Sequence, residues 1–265
     1  MTRSIRLTLA YEGTRYSGWQ AQPGRTTVQG TLAEAIRTIS GEVLLPRGSS
    51  RTDAGVHAFG QVVAFETAGD LDAGTWVRAL NARLPPDITV IDGAEAIPGF
   101  DPVWAAVSKI YRYRIHDAPW RPVMSRHLVW RWKSRLDLET MRAAAGALVG
   151  EHDFTSFETT PSTRLSKVRT IHRLDLVRRQ GGDDLSDSEI WIEVEGNGFL
   201  HNMVRIIVGS LVMVGCGRRR SEWMAEALAA RHRPTAGPTA PCQGLALLSI
   251  QIDPTRTRPP RPPVT

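Results

Sequence analysis

The chain has 265 residues, 42% of them hydrophobic and 23% charged, with 33 Lys and Arg against 27 Asp and Glu, a net charge of +6. It is long enough to bury a core as one large domain or two small ones; two cysteines outside any C-x-x-C pair, Cys216 and Cys242, exclude a disulfide framework and a cysteine-rich zinc site. The longest apolar run, Ile206 to Cys216, is too short to span a bilayer, and Arg3 and Arg6 interrupt any N-terminal signal core, so the chain reads as soluble and cytoplasmic, with no membrane partner.

The elements follow in order. Ile5, Leu7, Leu9 and Tyr11 alternate with polar residues as a half-buried strand does. After a Gly-rich loop, Thr27 caps a helix with Val28, Leu32, Ala35, Ile36 and Ile39 on one face, and Gly41 ends it. Short strands are expected at Val43 to Leu45 and Gln61 to Glu66. A second helix carrying Trp76, Val77, Leu80 and Leu84 stops at Pro85-Pro86, and Ile88 to Ile91 forms a last strand. The succession is β-α-β-β-α-β.

The second half repeats it. Tyr111, Tyr113 and Ile115 alternate with basic residues on a strand, and an extra strand lies near Leu128 to Trp132. Asp137 caps a helix with Leu138, Met141, Ala145 and Leu148 on its buried side. Strands at Val168 to Val177 and Ile190 to Val194 flank a polar loop, Gln180 to Ser188. A helix from Asn202 to Val214, apolar all round, is expected to be buried; a helix capped by Ser221 and a strand from Leu245 to Ile252 complete the unit. The fold class is therefore α+β, with halves at 1–104 and 105–253 and a disordered Pro/Arg-rich tail at 254–265.

Three stretches carry candidate chemistry. Ser50-Arg51-Thr52-Asp53-Ala54-Gly55-Val56-His57-Ala58 lies between two strands, where loops present functional groups. Taken alone, an Asp before Ala-Gly reads as a turn residue, but Arg51 and His57 close beside it raise the functional reading. Asn197 to Arg205 places Arg205 one turn into an apolar helix, where it either reaches solvent or meets an anion, because an unpaired buried charge is costly. Lys109 to Tyr113 sets two aromatics on one strand face; these are core residues or a platform for an extruded base. His57, His152 and His201 fit no standard metal spacing. The basic clusters at Arg164 to Arg179 and Arg218 to Arg220 suit either a phosphate path or solvated faces. Thirty of the basic residues are Arg, whose fork binds phosphate bidentately, although a GC-rich genome gives the same bias.

Taken together, Gly13-Thr14-Arg15-Tyr16-Ser17-Gly18-Trp19-Gln20, Arg51 to Ala58, Tyr111-Arg112-Tyr113, Asp153 to Phe157, Phe199 to Gly209 and Gly244-Leu245 resemble the tRNA pseudouridine synthases of the TruA family, from Tyr11 to about Leu248. The resemblance implies two ferredoxin-like (RRM-like) halves sharing a central antiparallel sheet around a basic active-site cleft, a homodimer, and no cofactor or metal. It implies isomerisation of uridine to pseudouridine at nucleotides 38 to 40 in the anticodon arm of tRNA. Asp53 would be the catalytic aspartate, Arg205 its ion-pair partner and Tyr111 the residue packing on the base, with Arg51, His57 and Leu245 also on the substrate. Three positions depart from the family pattern: Ser50 for Gly, Pro102-Val103-Trp104 for a stretch with Arg before an aromatic, and Pro241-Cys242 for Pro-Pro. The rival readings are a non-catalytic RNA-binding protein with paired RRM-like sheets, and a metal-dependent nuclease or hydrolase using Asp53, His57 and His201.

Overall fold

The computed structural model describes residues 2–159, 166–179 and 188–257. Arg164, most of the polar loop expected at 180–188 and the tail from residue 258 lie outside the described residues. The architecture is mixed α+β, in two compact units: Met1–Val107 with Leu247–Thr265, and Ser108–Ala246. The division falls near the expected 104/105 boundary. The last strand, however, is split, its residues from Leu247 grouping with the first unit.

The first unit runs β1 (Arg3–Tyr11), α1 (Val28–Ser40), β2 (Arg47–Gly48), β3 (His57–Thr67), α2 (Ala73–Asn81) and β4 (Ile88–Ala96). Its strands pair antiparallel in the order β4-β1-β3-β2. The apolar face of each element decides its place. Ile5, Leu7 and Leu9 point to one side of β1 and are fully buried, as are Val28, Leu32 and Ile36 of α1 and Trp76 and Leu80 of α2. Trp76 meets Phe65 of β3 edge-on at 5.1 Å, a favourable geometry for two ring quadrupoles. The caps of α1 are those expected: the Thr27 hydroxyl accepts from the Gly30 amide, and Gly41 ends the helix at φ 76°. A smaller cluster of Ala64, Phe100 and Ala105, joined by Ala96 and Ile252, buries the other face of β3.

Two expectations need correction here. Val43 to Leu45 is not a strand: Val43 and Leu45 are 90% and 55% exposed, and pairing begins at Arg47, after Pro46 has removed a ladder donor. α2 stops at Asn81, before Leu84, ahead of the Pro pair that disfavours helical geometry in the residue preceding it.

The second unit contains most of β5 (Ala106–His116), then β6 (Trp130–Arg131), α3 (Leu138–Gly146), β7 (Gly150–Asp153), β8 (Val168–Arg178), β9 (Glu189–Gly196), α4 (Met203–Gly215), α5 (Trp223–Ala230) and the start of β10 (Leu245–Ile252). Strands β5, β9, β8 and β7 pair antiparallel in that order, while β6 joins β5 in parallel. Strand β7 has no apolar alternation to announce it. Asp137 caps α3 as expected, accepting from the Glu139 and Thr140 amides. Helix α4 is buried at 11 of its 13 positions, as its all-round apolar sequence requires. Helix α5 is capped by Glu222 instead of Ser221, with no side-chain bond at the cap. Among the described residues, no helix is long and apolar enough to cross a membrane.

Candidate active site

Asp53 sits half-buried in the loop between β2 and β3 of the first unit, and the backbone around it is held at almost every residue. Its carbonyl accepts from the Val56 amide, closing a tight turn whose third residue, Gly55, has φ 77°, a conformation that favours glycine. Before the turn, the Gln61 side chain clasps Ser50 from both sides: Nε2 donates to the Ser50 carbonyl at 2.5 Å, and Oε1 accepts from its amide at 3.2 Å. The Thr52 hydroxyl shares a buried 2.8 Å hydrogen bond with Tyr11 of β1, and the Thr52 carbonyl accepts from the Trp19 amide.

The segment Gly13–Gln20 forms the other wall. Gly55 donates to the Tyr16 carbonyl, and the Gly13 amide donates to Nδ1 of buried His57 at 2.9 Å. Three glycines permit this approach. A Cβ on Gly13 would overlap the Val56 carbonyl; on Gly18, already at φ 86°, it would lie 2.6 Å from the Thr52 carbonyl; on Gly48 it would enter the Trp19 indole. Trp19 is buried and stacks on Tyr11 at 6.4 Å. The two motifs recognised separately in the sequence, Gly13–Gln20 and Arg51–Ala58, are thus the two sides of one interlock. Arg51 and Asp53 emerge from it, Arg51 exposed and Asp53 half-exposed, while His57 is buried beneath.

In the second unit, Tyr111 lies on β5, 6% exposed, edge-on to Phe199 at 5.3 Å. Tyr113, two residues on, is wholly buried and donates to the Pro241 carbonyl at 2.7 Å; burial holds its hydroxyl pKa well above the ordinary value. Arg205 rises from the first turn of α4. Its Nε donates to the Ala240 carbonyl and one Nη to Asn202 Oδ1, both at 2.7 Å. Asn202 takes a left-handed φ of 61°, which turns the chain into α4. These acceptors fix the direction of the guanidinium. The segment supplying Ala240 lies hard against α4, for a Cβ on Gly209 would overlap the Pro238 carbonyl. Leu245 is buried at the head of β10, next to Gly244, where a Cβ would come within 2.5 Å of the Tyr113 ring.

The sequence reading missed Tyr11, Gln61 and Asn202, the residues that position the loop and the guanidinium. Gln61, a fully buried amide amid β3, was the detectable signal, since a buried amide needs partners. Among the described residues, several members of the basic clusters are paired within the fold. Arg173 faces Asp175, Glu193 and Glu195; Arg178 forks onto buried Asp117; Arg220 pairs with Glu226, and Arg219 lies over Trp223. Asp153 accepts from both the backbone and the hydroxyl of Thr155; burial would raise its pKa, but these bonds, with Arg231 and Lys167 nearby, hold it below the usual value. His152 Nε2 donates to the Val149 carbonyl at 3.0 Å, three residues back in its own turn. Among the described residues, no three His, Cys, Asp or Glu side chains form a group able to hold a metal ion.

A sequence profile described as tRNA pseudouridine synthase matches residues 8–101 and 144–253. The tRNA pseudouridine synthase A of Geobacillus sp. is 42% identical over 254 residues, spanning 96% of this chain and 100% of the relative. That of Myxococcus xanthus is 43% identical over 246 residues, 93% of this chain and 91% of the relative, and that of Geobacter sulfurreducens 42% over 250 residues, 94% and 100%. A solved structure described as "Structure of H/ACA RNP bound to a substrate RNA containing 2'-deoxyuridine" shares 10% identity over 80% of this chain and 43% of its own, at a TM-score of 0.38, too slight to bear on the argument.

Proposed function

Because the chain belongs to the tRNA pseudouridine synthase family, it is an isomerase of tRNA uridine, and we propose that Asp53 is the carboxylate that performs the reaction. The reaction breaks the C1′–N1 glycosidic bond, turns the uracil and joins C5 to C1′; C5 gives up its proton and N1 gains one. No electrons are gained or lost, so the chemistry calls for no redox cofactor. A nucleotide must leave its stack to reach a carboxylate, and the carboxylate must already be in place when it arrives.

The observation that carries this reading is the interlock around Asp53. A loop clasped by Gln61, Tyr11, Trp19 and Tyr16, with glycines where any Cβ would collide, holds one acidic side chain at its tip. Mere turn residues do not require such a frame. In the same reading Arg205 is the cation serving that carboxylate, and its guanidinium is pre-oriented by Ala240 and Asn202. Tyr111 holds the base, Arg51 meets backbone phosphate, and Leu245 supplies apolar contact. His57 accepts from Gly13 at Nδ1, which leaves the proton of the neutral ring on Nε2, so it serves the substrate through the loop it supports.

The target uridines are then those at nucleotides 38 to 40 of the anticodon arm, modified in the cytoplasm by a homodimer, and each half is ferredoxin-like. The β-α-β-β-α-β succession of the first unit, paired as β4-β1-β3-β2, supports the last point. The test is tritium release from tRNA labelled at uracil C5. Asp53→Asn, nearly isosteric, is expected to bind tRNA as the wild type does and to release tritium at least a thousandfold more slowly. An Asn variant that turns over normally would remove Asp53 from the chemistry.

A further inference from the structure

The two segments matched by the family profile leave out residues 102–143. Within that gap, between β5 and α3, runs a stretch of unusual composition. From Ala118 to Leu136 it contains Trp120, Trp130 and Trp132 and five cations, Arg121, Arg126, Arg131, Lys133 and Arg135, with no Asp or Glu. We propose that this loop is a tRNA-docking element, in which Arg121 and its neighbours contact phosphates and Trp120 stacks on an unpaired base. The proposal rests on the reading of the chain as an enzyme of tRNA.

Three observations support it. First, the apolar side chains at its tip face solvent: Trp120, Val123 and Met124 are 46%, 63% and 95% exposed, where folding alone would bury them. Arg121, Arg126, His127, Lys133 and Arg135 are exposed around them. Aromatic rings interleaved with cations are how proteins hold single-stranded nucleic acid, the rings taking bases and the cations the backbone.

Second, the loop is shaped before any ligand arrives. Strand β6 pairs Trp130 with Ile115, and Trp130 stands edge-on between Tyr113 and Trp132 at 6.2 and 5.5 Å. Arg131 reaches back to the carbonyls of Trp120 and Pro119, and His116 meets the Trp120 ring edge-on. At the base, buried Asp117 accepts from the Leu136 amide and from both Nη atoms of Arg178 at 2.7 and 2.9 Å. A preformed loop loses little freedom on binding, so its contacts appear as affinity.

Third, charge separates this loop from the other Arg–Trp cluster of the same unit. Arg112 lies over Trp191 at 3.9 Å, but it is bound to Glu193, and neighbouring Arg114 to Glu189. That array carries two carboxylates of its own among its three cations, the third being Arg179, 4.9 Å over the ring. Among the described residues, Asp117 at the base of the loop is bound to Arg178, and Ala118 to Leu136 bring no acid of their own to offset their five cations, so the tip offers a positive field to a polyanion.

The test uses the full chain and an unmodified tRNA transcript across a series of KCl concentrations. Trp120→Ala is expected to weaken tRNA binding about tenfold and Trp120→Phe by much less, because a smaller ring still stacks. Arg121→Glu is expected to weaken it about tenfold and to make log affinity less steeply dependent on log salt, by about one unit or more. Single-turnover rates at saturating tRNA are expected to match the wild type for all three. Unchanged tRNA affinity in both Trp120→Ala and Arg121→Glu overturns the proposal. So does a change of oligomeric state by sedimentation with affinity intact, which would assign the exposed tip to an interface between copies of the chain. Asp53→Asn keeps the two readings apart: it is expected to bind normally and fail in turnover, so loss of catalysis and loss of docking are read on separate axes.

Discussion

The Asp53 loop of the first unit and the Trp120 loop of the second are both fixed, but the balance of backbone and side-chain contacts differs. The first is fixed largely by backbone against backbone, with the Gln61 and Tyr11 side chains closing on it. Amides of Trp19, Gly55 and Val56 meet carbonyls, and glycines at 13 and 18 let main chains approach where a methyl group would collide. The second is fixed largely by side chains around the short pairing of β6 with β5: an aspartate forked by an arginine, a guanidinium over two carbonyls, and Trp130 edge-on between Tyr113 and Trp132. Backbone packing tolerates almost no displacement, which suits a carboxylate whose reach matters on the ångström scale. Side-chain anchoring holds the base of a loop and leaves its tip adaptable, which suits a surface that meets a backbone and a base rather than a single atom.

The comparison breaks most easily at Gly13. Gly13→Ala forces a methyl onto the Val56 carbonyl, backbone that cannot swing aside, and is expected to cost about 3 kcal/mol of stability with most of the turnover. Gly146→Ala is the control, because nothing lies within 4 Å of its Cβ; it should be neutral or slightly stabilising. Urea unfolding of the pair checks this, and equal stabilities would show that the interlock has slack. Next in size is Asp117→Asn. The carboxylate is fully buried and Arg178 partly exposed, so losing the charge is expected to cost about 2–3 kcal/mol in thermal unfolding, less than for a wholly buried pair. It should loosen the Trp120 loop, seen as reduced near-ultraviolet dichroism from its tryptophans, and leave Asp53-dependent turnover at saturating tRNA intact.

Which of these features the sequence disclosed follows from their physics. Periodicity and caps are local, so β1, α1 with Thr27 and Gly41, α3 with Asp137 and the buried α4 were all legible. Strand β7 was not, because Gly150-Glu151-His152-Asp153 has no apolar rhythm and exists only by pairing with β8. Val43 to Leu45 misled for the converse reason: apolar residues that find no partner stay in solvent. Asp53 and Arg205 could be picked out as unusual in their contexts. That Tyr11 grips Thr52 across 41 residues, or that Asn202 and Ala240 aim Arg205, is a fact of tertiary packing that no local pattern encodes.

Tyr11→Phe sharpens the comparison by removing one side-chain contact from the backbone-held loop. The hydroxyl's hydrogen bond to Thr52 is buried, so its loss is expected to cost about 1 kcal/mol, since the Thr52 hydroxyl loses that bond. If backbone contacts carry the loop, turnover falls only a few-fold and tRNA affinity does not change. A loss as large as that of Gly13→Ala would mean that the hydroxyl pair, and not the main chain, sets the position of Asp53.

The smallest expected effect concerns acid, and it tests the ion-paired face of the second unit. Burial would raise the Glu189 carboxyl, but hydrogen bonds from Arg114 and Trp191 and the charges of Arg114 and Arg179 outweigh it and hold its pKa below the ordinary value of 4.5. A carboxyl depressed in the folded state binds its proton more readily when unfolded. Its contribution to stability is therefore fully present above the unfolded pKa and is lost as pH falls through the lower folded one. The stability difference between wild type and Glu189→Gln should be constant from pH 7 down to about 5 and then shrink, with an amplitude of under about 1 kcal/mol. A difference that grows on acidification would mean that Glu189 is held protonated and that Arg112 and Arg114 are not neutralised as a set. The face around Trp191 would then carry spare positive charge, and the contrast that singles out the Trp120 loop as the site for phosphate would weaken.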